Sequence, residues 1–255
     1  VDKKFIASAQ PGSIQTHARF KDIVEQMRER KGTWLILGRT QELVRELEGF
    51  ARMHGVFFQN TKGKHSFDLN KWNAIQYWKR LKEGGTVKKE EAGVIYTYIN
   101  EIAYGWRSIE SKRWKSLADD KTYSLDFLRS FGGLSAKPYK WQQVFNRNFP
   151  ESDKQYFEKI IEKNIDLSLA SNIVIDTIHS IKGGEAQHVC VYEKANWPAH
   201  FENKVGLARS SESRVWYVAV TRAKESLHIL RSYHEYFFPL ARLYNQFIKE
   251  HHGSS

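Results

Sequence analysis

The 255-residue chain has one cysteine, Cys190, so no disulfide can form within it. That thiol lies in the apolar run Val189-Cys190-Val191-Tyr192, where it is expected to act as a small buried hydrophobe in a reducing, intracellular setting. No apolar run is long enough to cross a bilayer and no secretory signal pattern is present, so a cytoplasmic protein without a membrane partner is expected. One Cys and scattered His residues cannot assemble the usual zinc-ligand sets, and no metal site is expected. Neither a Ser-His-Asp arrangement nor a cluster of nuclease carboxylates stands out. A Gly-x-x-x-x-Gly-Lys-Ser/Thr phosphate loop is also missing: Gly63-Lys64-His65-Ser66 lacks the first glycine and the spacing. There is no acidic strand end in the setting of a Mg²⁺-binding motif. The chain alone is therefore expected not to hydrolyse a nucleoside triphosphate. Internal repeats and low-complexity tracts are absent.

What is plentiful is positive charge and aromatic surface. Forty Lys+Arg face 29 Asp+Glu, a formal charge of +11, and 14% of residues are aromatic. This combination suits a polyanion whose bases can stack on rings. The length supports one large domain or two moderate ones with real cores.

Along the chain, Phe5-Ile6-Ala7 reads as a short strand and Gln10-Pro11-Gly12-Ser13 as a turn. Phe20, Ile23, Val24 and Met27 recur at helical spacing, and Lys31-Gly32 ends that helix. Trp34-Leu35-Ile36-Leu37 is a buried-strand run, closing on Gly38-Arg39-Thr40. A second amphipathic helix runs through Leu43, Leu47, Phe50 and Ala51 to His54-Gly55, and Val56-Phe57-Phe58 reads as the next strand. Alternating strands and helices predict a parallel sheet covered on both faces.

From about Thr61 to Ala170 the character changes: 20 Lys+Arg stand against 14 Asp+Glu, with five of the eight Trp. Trp72, Ile75, Trp78 and Leu81 fall at helical spacing, as do Val94, Ile95, Tyr98, Ile99, Ile102 and Trp106. Gly84-Gly85 and Gly132-Gly133 break the helices. Ser152 or Asp153 is read as the cap of a helix carrying Phe157, Ile160 and Ile161. Trp72, Trp78 and Trp106 are assigned to the core. Trp114 and Trp141, set among Lys112, Arg113, Lys115 and Lys140, are candidates for a nucleic-acid surface.

The α/β pattern resumes at Asn172. Ile173-Val174-Ile175 is a buried strand ending in Asp176-Thr177-Ile178-His179, followed by Lys182, Gly183-Gly184 and Glu185. Val189 to Tyr192 is another strand, Glu212 to Ala223 a helix with Arg222 near its end, and Leu227 to Leu230 a third strand.

Two stretches here resemble consecutive motifs of superfamily 1 helicases of the UvrD/Rep type. Thr177-Ile178-His179-Ser180-Ile181-Lys182-Gly183-Gly184-Glu185 is similar to the family's fifth motif, T-x-H-x-x-K-G-x-E. Tyr217-Val218-Ala219-Val220-Thr221-Arg222-Ala223 is similar to its sixth, Y-V-x-x-T-R-A. Leu35 to Thr40 resembles the fourth, with Arg39 in the arginine place and Gly38 where the family often has an adenine-stacking tyrosine. The resemblance implies the C-terminal half of a DNA helicase, with an α/β fold: a RecA-like parallel sheet flanked by helices, interrupted by an all-helical insertion subdomain. The expected domains are 1–61 with 171–250, the insertion 62–170 and a tail 251–255, in a piece of a longer chain.

The same resemblance implies arginine fingers at Arg39 and Arg222, acting on the γ-phosphoryl of ATP. It implies a nucleotide contact at Gly183, Gly184 and Glu185, with Glu185 taking ribose hydroxyls, and contacts to single-stranded or forked DNA at Thr177, His179 and Lys182. Because ligands of such sheets gather at the carboxyl ends of strands, Arg39 and Arg222 are expected to converge on one rim there. Mg²⁺ and the phosphate cradle would come from an N-terminal RecA-like helicase domain. Two other readings stay open: a non-catalytic single-strand-binding or partner-docking module, and part of a helicase–nuclease.

Overall fold

A computed structural model describes residues 12–103, 106–135, 140–167, 169–181, 183–195 and 206–252. Two compact units result, Phe67–Lys163 and the remainder of the chain on either side of it. The strand read at Phe5-Ile6-Ala7, the nucleic-acid contact at Lys182 and residues 253–255 of the tail lie outside the described residues.

In the first unit, β1 (Ser13–His17), α1 (Phe20–Glu29), β2 (Trp34–Gly38) and α2 (Gln41–Met53) come first. Every residue of β2 is buried, as befits a strand whose two faces are both covered. Successive side chains of a strand point to opposite faces, and the core divides accordingly. Trp34 and Ile36 pack with Ile23, Val24, Leu43 and Leu47 of α1 and α2. Leu35 and Leu37 pack on the other side with Val189, Val191, Trp216 and Ala219. The hydroxyl of Thr40 accepts the Leu43 amide at 3.4 Å and caps α2. Gly38 is glycine for a steric reason: a Cβ would stand 3.1 Å from the Val44 amide nitrogen. Any larger residue here would press on the first turn of α2.

The second unit carries α3 (Leu69–Lys82), β3 (Thr86–Lys88), α4 (Lys89–Thr97), β4 (Ile102–Ala103), β5 (Trp106–Arg107), β6 (Thr122–Ser124), α5 (Leu125–Ser130), α6 (Trp141–Val144) and α7 (Glu151–Glu162). Its core joins Trp78, Ile95, Phe145, Phe149 and Phe157. Helices dominate, but the expectation of an all-helical segment is corrected. β3 pairs antiparallel with β6, and β4 antiparallel with β5, so Ile102 and Trp106 leave the helical register. α7 begins after Pro150 rather than at Ser152 or Asp153. Trp114 stacks on Tyr96 at 5.1 Å, over a Gly93 whose Cβ would touch the indole at 3.0 Å. Trp141 leans on Phe149 at 5.9 Å. Both indoles are half-buried and pack against this core.

The first unit resumes with β7 (Ile173–Thr177), β8 (Ala186–Tyr192), α8 (Gly206–Val220), β9 (Ala223–Leu230) and α9 (Leu240–His252). The sheet order is β1-β9-β8-β2-β7, and every pairing is parallel. This is the predicted RecA-like α/β architecture. Two local expectations change. Val56-Phe57-Phe58 is buried but forms no strand; only Gln59, next along, bridges to Val174 of β7. The helix expected to reach Ala223 stops at Val220, so Arg222 occupies a turn before β9.

Candidate functional site

At the carboxyl edge, β2 and β7 end side by side, Gly38 opposite Thr177. The chain leaves β2 towards β7 and leaves β8 towards β9, so β2 and β8 flank a topological switch point, where such sheets open a crevice. Arg39 stands there. Its Nε and Nη2 donate to Oε1 and Oε2 of Glu212 at 2.8 and 2.9 Å, a two-pronged pair. Glu212, on α8, is 1% exposed and also accepts the Trp216 Nε1–H at 2.9 Å. The third guanidinium nitrogen, Nη1, lies 3.0 Å from His179 Nε2, and His179 is exposed.

Thr177 is buried, and its hydroxyl is engaged in the turn after β7, 2.8 Å from Ser180 Oγ and accepting the Ser180 amide at 3.2 Å. Beneath it, Asp176 is buried and accepts the Thr61 hydroxyl at 2.5 Å and the Thr177 amide at 2.7 Å. Burial by itself would raise this carboxyl, but these hydrogen bonds together hold it below its ordinary value. Asp176 thus braces the loop that presents His179.

The remaining expected residues lie at the opposite edge. Gly183 adopts φ +78°, a left-handed conformation open to glycine, and Gly184 donates its amide to Ile181 O at 2.9 Å. Glu185 directly precedes β8 and Arg222 directly precedes β9. Ala186 pairs with Ala223, and the Ala186 amide donates to the Arg222 carbonyl at 3.1 Å. Glu185 is ion-paired with Lys224 at 3.2 Å, both about half exposed. The Arg222 guanidinium folds back on the end of α8, donating to Val218 O at 3.0 Å and to Thr221 Oγ1 at 3.4 Å.

The expected convergence of Arg39 and Arg222 on one rim is therefore corrected. Arg39 follows its strand, whereas Arg222 precedes its own; the seven residues of β8 span the gap, roughly 20 Å at ~3.3 Å per residue. The structure gathers Gly183, Gly184, Glu185 and Arg222 at the amino edge, and Arg39, Thr177 and His179 at the carboxyl edge. Sequence reasoning missed Glu212, the anion that occupies Arg39. Nothing in its local sequence, Arg209-Ser210-Ser211-Glu212-Ser213-Arg214, sets this carboxylate apart from a solvated one. Among the described residues, no three His, Cys, Asp or Glu are grouped to hold a metal ion, and no helix is long and apolar enough to cross a membrane.

An all-parallel sheet with helices on both faces and functional groups on strand-flanking loops defines a RecA-like α/β domain. The family model of the UvrD-like helicase C-terminal domain matches residues 12–236, and the chain belongs to that family. No curated protein matches it.

Proposed function

We propose that this domain is one half of an ATP-driven motor on DNA, reading a nucleotide at the amino edge of its sheet and a DNA strand at the carboxyl edge. The observation that carries the reading is the meeting of Glu185 and Arg222 at the starts of adjacent strands, tied by the Ala186–Arg222 backbone bond. A carboxylate there suits the hydroxyls of a ribose, and a half-exposed guanidinium suits a phosphate tail. The backbone contacts of Arg222 belong to its own helix end and can be exchanged for phosphate oxygens. Gly183 and Gly184 let the main chain approach the ligand closely.

In this reading Arg222 is the arginine finger and Arg39 is not one. The phosphate cradle and the Mg²⁺ ligands come from a separate N-terminal RecA-like domain, which closes on ATP and reopens after hydrolysis. Single-stranded or forked DNA runs past His179, and alternating grip at that edge turns the cycle into translocation.

The 255-residue chain alone is expected to show negligible ATPase activity. Addition of a phosphate-loop domain of the same family should produce DNA-stimulated hydrolysis. Arg222→Ala should then slow turnover by about a thousandfold while nucleotide binding persists. Normal hydrolysis by that variant, or robust turnover by the chain alone, would remove the basis of the assignment.

A further inference from the structure

Arg39 touches both Glu212 and His179, and the chemistry of these contacts dictates what His179 presents. A guanidinium has only N–H groups to offer, so a ring nitrogen 3.0 Å from Nη1 must accept. His179 Nε2 is therefore the lone-pair nitrogen, and the proton of the neutral ring sits on Nδ1. We propose that Arg39 is a positioning residue: anchored on buried Glu212, it holds the exposed imidazole of His179 in the Nδ1–H form, so that the ring meets a nucleic-acid strand as a hydrogen-bond donor to phosphate oxygens or base acceptors. This deepens the strand-holding half of the proposed function and rests on it.

The anchor explains why arginine is needed at this position. Its Nε and Nη2 are taken by the two oxygens of Glu212, which leaves Nη1 as the outward donor in a fixed plane. Lysine, with one ammonium, cannot reproduce that fork. Trp216 Nε1–H also donates to Glu212 Oε1, a second tie on the carboxylate that anchors the arginine.

Two measurements test this. The first needs no variant and no DNA: long-range ¹H–¹⁵N correlation on the ¹⁵N-labelled chain reads the tautomer of His179. The Nδ1–H form is expected in the wild type, reverting to a mixture in Arg39→Lys. A wild-type ring with its proton on Nε2 overturns the proposal. The second follows fluorescein-labelled oligothymidine by anisotropy. His179→Ala should weaken binding by about tenfold, and Arg39→Lys by a similar factor. The double variant should be no weaker than His179→Ala alone, because Arg39 acts through the ring. Additive losses, with a salt slope reduced by about one in a variant lacking the charge, Arg39→Gln, would make Arg39 a direct phosphate contact and overturn the positioning role. If the wild-type chain fails to bind the oligonucleotide, the nucleic-acid assignment of this edge falls, while the tautomer still decides whether Arg39 sets the ring.

Discussion

At the scale of single residues, burial decides which charges matter. The Glu212 carboxylate is 1% exposed and its pair with Arg39 is nearly closed to solvent, whereas the side chains of Lys224 and Glu185 are 58% and 48% exposed. Glu212→Ala would take the carboxylate from a guanidinium whose side chain is 18% exposed and remove the acceptor of the Trp216 Nε1–H, and should cost about 3 kcal/mol. Lys224→Ala should cost less than about 1 kcal/mol. Urea unfolding of the two variants checks the contrast, and equal losses would refute it. Glycines divide in the same way. At Gly183 a Cβ meets nothing within 4 Å, so Gly183→Ala carries only the left-handed backbone cost, about 1–2 kcal/mol. At Gly38 the backbone is ordinary, but a Cβ presses on the first turn of α2.

At the scale of elements, three strands share a buried hydrogen-bonded chain. His17 of β1 meets His228 of β9 at 3.0 Å; His228 and His188 of β8 each lie 2.8 Å from Ser226 Oγ; His188 Nε2 lies 3.0 Å from the Lys31 carbonyl. A carbonyl only accepts, so His188 Nε2 donates to it and Nδ1 takes the serine proton. Ser226 then accepts from His228 Nε2–H, and His228 Nδ1 accepts from His17 Nε2–H. Every link has one proton and no interior position can take another. Trp34 packs on both inner rings at 4.7 and 4.9 Å.

Burial, with the nearby charges of Arg30 and the other histidines, lowers His228 to about 3; burial also lowers His17, against the attraction of Asp22. The unfolded chain, with histidines near 6.5, binds these protons first. Their contribution to stability is thus complete above about pH 6.5 and declines as pH falls below it, by up to about 1.4 kcal/mol per pH unit for each excluded proton. Asp176 works lower down: its folded value is depressed, so its contribution fades only as pH falls below the ordinary carboxyl range. The urea midpoint should therefore drop between about pH 6.5 and 5, and a midpoint flat across that window would contradict the chain.

At the scale of the molecule, the two units keep separate cores that share no residue. Ile36 in the sheet and Ile95 in the second unit are each fully buried. Replacing either with alanine should cost its own unit about 2–5 kcal/mol. Hydrogen exchange should show the loss of amide protection concentrated in the unit that carries the substitution; equal loss in both after Ile95→Ala would mean that they unfold as one. The same scale governs the candidate site, because a parallel sheet has two ends and the motif residues divide between them.

The central strands β2, β7 and β8, the helices α1, α2 and α3 and the two motif loops were legible in the residues, because unbroken apolar runs and helical periodicity follow directly from burial on two faces or one. β1 was not: Ser13-Ile14-Gln15-Thr16-His17 has no apolar run, and pairing with β9 makes it a strand. The short ladders of the second unit escaped for the same reason. The motifs placed Gly183, Gly184, Glu185, Thr177, His179 and Arg222 in a helicase-like pattern. Only the tertiary structure separated them into two edges and gave Arg39 a carboxylate partner 173 residues away. Local patterning is written in near neighbours, whereas the end of the sheet at which a side chain stands, and which charge answers it, depends on contacts between distant segments that exist only once the chain has folded.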